Sequence, residues 1–265
     1  MMARTALLRA LRLWSSAASW MMRRPVVDVL VIGDSHVRVF EHAWFQFVLP
    51  NVRFAVEYVP GATAIGIINR HSITSAWSRF DTALDEIARD LVIVNLGEVD
   101  TGYSLWRLVE TRGDAMSEIF DRAVNNYCEY IGDLSKRGRV LVLSAPLPTL
   151  NDEMARKNRG NAIREQVDAT QRQRTELTLQ FNARVMAFCA GIGVAYFDSS
   201  PFALGANGVV KDSWCRKDLD HHYARWPYAR NLARHLGPLL EDMGRPCHRG
   251  QQDGTARKPD HEEMQ

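Results

Sequence analysis

A serine hydroxyl attacks an ester only when a base takes its proton, and the base needs a third group to fix its tautomer. Two stretches of this 265-residue chain hold the residue types for that division of labour. In VLVIGDSHV a run of aliphatic residues ends on Gly33, Asp34, Ser35 and His36. In KDLDHHYARW, Asp218 stands three residues before His221, and His222 follows. Gly-Asp-Ser is also an ordinary turn sequence, so the first stretch alone reads equally as a turn. An acid and an imidazole three residues apart can supply both remaining partners from one short piece of chain. Of two adjacent histidines only one can face the serine; the spacing selects His221 and leaves Asp220 and His222 as a solvated pair or as support. A further polar group lies at Gly97-Glu98-Val99-Asp100. Carboxylates there either accept backbone N–H groups around a turn or hold the serine loop and bind a substrate hydroxyl. The structural role suits Asp100, and Glu98 is open between the two.

These residues need a scaffold, and the hydrophobic pattern supplies one. Residues 25–32 form a nearly continuous β-branched run, as in a strand buried on both faces. VRFAVEYV alternates as a second strand, and DLVIVNLG, RVLVLSAP and VAYFDSSP read as three more. Helical periods separate them. One helix after the first strand carries Val39, Phe40, Ala43, Trp44, Phe47 and Val48, and Pro50 stops it. Another spans 81–89 with Leu84, Ile87 and Ala88 on one face. A longer one carries Ile119, Ala123, Tyr127, Tyr130 and Leu134 and closes at Gly138. An amphipathic helix over 174–193 follows, and a last helix sets Leu232, Leu236 and Leu239 in register. The expectation is a single three-layer α/β/α domain over 25–243 with a mainly parallel, flavodoxin-like five-stranded sheet. Ligands of such sheets sit at the C-terminal ends of the strands. Asp34, Ser35 and His36 fall there after the first strand, Gly61 after the second, and Gly97, Glu98 and Asp100 after the third.

A strand ending in G-D-S near the N-terminus, with D-x-x-H near the C-terminus, resembles the SGNH/GDSL hydrolase family. The order of elements from residue 25 to about 240 is similar as well. The resemblance implies Ser35 as nucleophile, with Asp218 and His221 as its acid and base. It also implies an oxyanion hole formed by the N–H groups of Ser35 and Gly61, with His36 lining the loop. The implied activity is hydrolysis of an O-acyl ester, small or carbohydrate-like, through an acyl-enzyme and without cofactor or metal. An O-acyltransferase results if a hydroxyl other than water takes the acyl group. The third family block, G-x-N-D, is where this chain departs, because Val99 stands at the asparagine position and donates nothing. Losing one oxyanion donor costs roughly 10²–10³ in rate. Asn95, Arg107 or a backbone N–H would have to replace it; otherwise the chain is a slow enzyme or a ligand-binding relative. The residue two after Ser35 is Val37, so the G-x-S-x-G elbow of the α/β-hydrolases is absent.

The remaining features set the context. Hydrophobic and charged contents of 46% and 24% are those of an ordinary globular domain, and a net charge of +2 gives no nucleic-acid footprint. Cys128, Cys189, Cys215 and Cys247 are widely spaced, which points to a reducing, cytoplasmic location. Cys215, Asp218, His221 and His222 lie close in sequence, but no second ligand cluster stands out, so no metal is expected. Residues 1–24 carry Arg4, Arg9, Arg12, Arg23 and Arg24 and no acid, with Leu7, Leu11, Trp14 and Ala18 at helical spacing. This basic amphipathic segment is too short to span a bilayer. It reads as a dispensable extension, with weak membrane-surface contact as the alternative. Residues 244–265 are nearly devoid of large apolar side chains and read as a disordered tail. Trp77, Trp106, Trp214 and Trp226 fall in or beside predicted loops, where they either stack on carbohydrate or cover the edge of the core.

Overall fold

A computed structural model describes residues 26–153, 167–216 and 220–243. The whole N-terminal extension, the C-terminal tail and Asp218 lie outside the described residues. The aliphatic runs form five strands: β1 (Val27–Gly33), β2 (Val52–Tyr58), β3 (Leu91–Asn95), β4 (Val140–Leu143) and β5 (Ala195–Phe197). Every pairing is parallel, in the order β2-β1-β3-β4-β5. Parallel neighbours require crossovers, and five helices among the described residues lie in them: α1 (Ala43–Val48), α2 (Ala76–Glu86), α3 (Leu105–Arg112), α4 (Met116–Lys136) and α5 (Gln171–Ile192); α6 (Ser200–Ala203) and α7 (Arg225–Met243) follow β5.

The period of two along each strand divides the aliphatic side chains between two cores. Leu30 and Ile32 pair in register with Val92 and Val94, which pair with Val140 and Val142; this face packs against α2, α4 and α5. Val29 and Val31 pair with Leu91 and Ile93, and Ile93 with Leu141; that face packs against α1 and α7. The expected three-layer, five-stranded architecture is the observed one.

Several boundaries differ from the pattern-based expectation. The helix after β1 is two pieces, a 3₁₀ turn over Ser35–Glu41 and then α1, broken where His42 turns extended and its ring accepts the Trp44 N–H. Phe47, placed by periodicity on the buried side, is consequently exposed. α2 starts earlier than expected and buries Ala76, Phe80, Ala83 and Leu84, while Ile87 has left the helix. α5 begins at Gln171 because Thr170 and Gln173 form a capping box, each side chain satisfying the other's backbone N–H. In α7 it is Leu240, not Leu239, that continues the buried row of Leu232 and Leu236. α3, preceded by a π turn over Asp100–Ser104, was not anticipated. No helix among the described residues is long and apolar enough to cross a membrane.

Candidate active site

The strand order changes direction between β1 and β3, and the crevice beyond their C-terminal ends is where open α/β sheets place ligands. Gly33 closes β1 there. A Cβ at this position would stand 2.3 Å from the Asn95 carbonyl oxygen and 2.6 Å from Val37, so only glycine lets the turn fold back beside β3. Asp34 then caps the 3₁₀ turn, its Oδ1 accepting the His36 N–H at 2.8 Å. Ser35 is the first residue of that turn. Its N–H lacks an intrahelical acceptor, as at any helix start, and no other acceptor among the described residues takes it.

The Ser35 hydroxyl meets His222, with Nε2 2.7 Å from Oγ. His222 Nδ1 lies 2.5 Å from Asp220 Oδ1, which also accepts the His222 N–H at 3.0 Å. The histidine expected to face the serine was His221, and that expectation is corrected: the hydrogen-bond partner is its neighbour. The cause is local. Asp220 folds an Asx turn onto residue i+2, which aims the His222 ring at Ser35, while the His221 carbonyl faces His36 Nε2 at 3.5 Å. Arg216, four residues before Asp220, grips its other oxygen at 2.9 Å. No sequence signal pointed to that pair, because residues four apart are neighbours on a helix and neither Arg216 nor Asp220 lies on one.

Electrostatics separate the two partners of the dyad. Burial pushes the Asp220 carboxyl up, but hydrogen bonds from His222 and the charges of His222 and Arg216 outweigh it and hold it below its ordinary value. Burial and the neighbouring His36 push the His222 imidazole down, against the attraction of Asp220 and Glu98.

The supporting residues surround this line. His36 is buried, with Nδ1 2.9 Å from Asp34 Oδ1 and Nε2 3.8 Å from Glu98 Oε2. Its ring centroid lies 4.5 Å from that of His222. Gly97, two residues beyond β3, lies against the Phe181 ring, and its carbonyl accepts both the N–H and the hydroxyl of Thr101. Asp100 is fully buried and accepts from Ala64 N (2.6 Å) and Ile65 N (3.0 Å), so it ties the loop after β2 to the helix start after β3. Burial pushes its carboxyl up to about 7 in spite of those two bonds. Gly61, in the same loop, has φ +75° behind Pro60, the third residue of a type II turn closed by Ala62 N to Val59 O at 3.0 Å. Its N–H takes no acceptor among the described residues.

The Val99 side chain is buried, 4% exposed. Of the replacement donors considered, Asn95 is spent, its amide donating to the carbonyls of Leu143 and Ser144 at 3.2 and 2.9 Å. Arg107 lies exposed on α3. Among the four tryptophans, Trp77, Trp106 and Trp226 sit on helices, Trp214 is buried in a 3₁₀ turn, and Trp226 is half exposed. Two trios, Asp34/His36/Glu98 and Asp220/His221/His222, bring one ligand-type atom from each member within 4.8 Å. In both, an Asp oxygen is already hydrogen-bonded to an imidazole, as described above.

The fold so defined is that of the SGNH/GDSL hydrolases. A GDSL-like lipase from Bacteroides thetaiotaomicron superposes with a TM-score of 0.52 at 16% identity, covering 87% of this chain and 97% of its own. A lipase/acylhydrolase from Enterococcus faecalis gives 0.50 at 12% identity, covering 81% and 97%. No protein-family model matches the sequence, and no curated protein matches it.

Proposed function

We propose that the protein is a serine esterase that cleaves an O-acyl ester through an acyl-enzyme on Ser35. The observation that carries this reading is the 2.7 Å approach of His222 Nε2 to Ser35 Oγ, with Nδ1 of the same ring on Asp220. An ionised carboxylate only accepts hydrogen bonds, so Asp220 selects the tautomer with its proton on Nδ1 and a lone pair on Nε2. Ser35 Oγ attacks the acyl carbon as its proton passes to His222 Nε2. The resulting oxyanion takes the N–H groups of Ser35 and Gly61 as donors. His222 then returns the proton to the departing alcohol oxygen, and water repeats the sequence to release the acid. Asp220 and His222 thus take the roles that the D-x-x-H spacing assigned to Asp218 and His221. The alcohol half is small or carbohydrate-like: half-exposed Trp226, directly after Arg225 on the pocket wall, offers a sugar ring an apolar face. Cys128, Cys189 and Cys215 are free thiols, which supports a reducing, cytoplasmic setting.

Val99 favours a second reading, a ligand-binding relative in which the oxyanion is too poorly held for turnover. Labelling with a fluorophosphonate separates the two. In the esterase reading the wild type labels, Ser35→Ala does not, His222→Ala labels at least about 100-fold more slowly, and His221→Ala labels far faster than His222→Ala. A folded wild type that fails to label at any pH from 5 to 9 refutes the esterase and leaves the binding protein.

A further inference from the structure

Beside Ser35 opens a narrow pocket of about 100 Å³ whose wall runs from Ser35 and His222 past Tyr223 and Tyr228. Among the described residues its lining carries three guanidinium groups, Arg38, Arg216 and Arg225, against one carboxylate, Asp220. They come from three separate places in the chain: the 3₁₀ turn after β1, the segment before Asp220, and the first residue of α7. Arg216 and Asp220 already answer one another at 2.9 Å. Arg38 is paired loosely, with Nε 3.3 Å from Glu41 at the protein surface and its guanidinium 4.8 Å from the centroid of the Tyr58 ring. Arg225 is exposed and has no ion-pair partner among the described residues. Its charge helps to push the His42 imidazole down, after burial.

Ester hydrolysis at Ser35 needs a base and oxyanion donors, and nothing in that chemistry requires cations on the side where Arg225 stands. Unbalanced positive charge in a concave site raises the local concentration of anions. A guanidinium fork also matches the two oxygens of a carboxylate or phosphate. We propose that the ester hydrolysed at Ser35 carries an anionic group, a carboxylate or a phosphate, close to its acyl oxygen, and that Arg225 with Arg38 binds it. The inference rests on the esterase reading for its turnover, but the anion site stands on the arginines alone.

The test uses the full chain and three acetyl esters: O-acetyl-lactate, O-acetyl-glycerol phosphate and the uncharged O-acetyl-lactamide. Relative to the amide, kcat/KM for at least one anionic ester is expected to be about tenfold higher or more, the size of one charge-assisted contact. That preference shrinks as salt rises from 0.02 to 0.5 M, and it collapses towards one in Arg225→Ala combined with Arg38→Ala. The carboxylate and phosphate arms tell which anion is meant. In parallel, calorimetry with the Ser35→Ala protein reads binding of the same three compounds without turnover. Tighter binding of an anionic ester there, with no hydrolysis by the wild type, keeps the anion site and refutes only the esterase. Equal kcat/KM for all three esters, or equal binding where there is no turnover, overturns the proposal.

Discussion

Asp34 and His36 form the same local unit as Asp220 and His222. In each, the backbone N–H of the histidine and its Nδ1 converge on one oxygen of the aspartate two residues earlier. Both units fix an imidazole with little help from distant residues, but they present it differently. His222 Nε2 reaches Ser35 Oγ, whereas His36 Nε2 turns towards Glu98 and the His221 carbonyl, bracing the loop that carries His222. A general base must be neutral to act, and the His222 imidazole is pushed down by burial and by His36. The acid limb of kcat/KM is therefore expected below the ordinary histidine midpoint of about 6.5. In His36→Gln, which removes one of the groups pushing His222 down, the limb should move to higher pH and kcat should fall. A pH–rate profile on any hydrolysed ester reads both. An unmoved limb with lowered kcat would leave His36 a purely steric brace.

At the level of elements, the link that matters is between loops, not strands. The β2 loop with Gly61 is joined to the helix start after β3 by one buried carboxylate, Asp100. The folded-state pKa of that group is raised from 3.8 to about 7, burial being the larger cause. The sign follows from linkage: an acid whose pKa is raised by folding contributes stability fully below its unfolded pKa and loses it as pH rises through the folded value. Wild-type stability is thus expected to decline between pH 4 and pH 7 relative to Asp100→Asn, which keeps one acceptor and cannot ionise. Urea denaturation of the two proteins across that range measures the difference. Parallel pH dependences would mean that Asp100 does not ionise in this window.

For the whole molecule, the sequence sets residues 1–24 apart as a basic segment ahead of the first strand of the α/β domain. Deleting residues 1–24 is therefore expected to leave the fluorophosphonate labelling rate of Ser35 and the thermal midpoint within error of the full chain. Sedimentation with anionic vesicles, before and after the deletion, reads whether that basic segment holds the protein at a membrane surface. A slower labelling rate in the truncated protein would assign the segment to the site instead.

Much of this was legible from the sequence by itself. Aliphatic runs of strand length alternating with helical periods determine a parallel α/β sheet, because a period of two and a period of 3.6 bury different faces. Gly33 before Asp34 and Ser35 marked the turn at the end of β1, and Gly61 was placed at the end of the second strand. Asp100 read as a backbone acceptor and is one. The tertiary structure alone decided which histidine meets Ser35. Spacing counts residues along the chain, whereas the direction of a loop side chain depends on what the loop packs against. Here the Asx turn at Asp220, the His36 ring and the pairing of Tyr223 with Cys215 orient the segment so that His222 faces inward. The gathering of Arg38, Arg216 and Arg225 was equally invisible in sequence, since nearly 190 residues separate the first from the last and only folding brings them to one pocket.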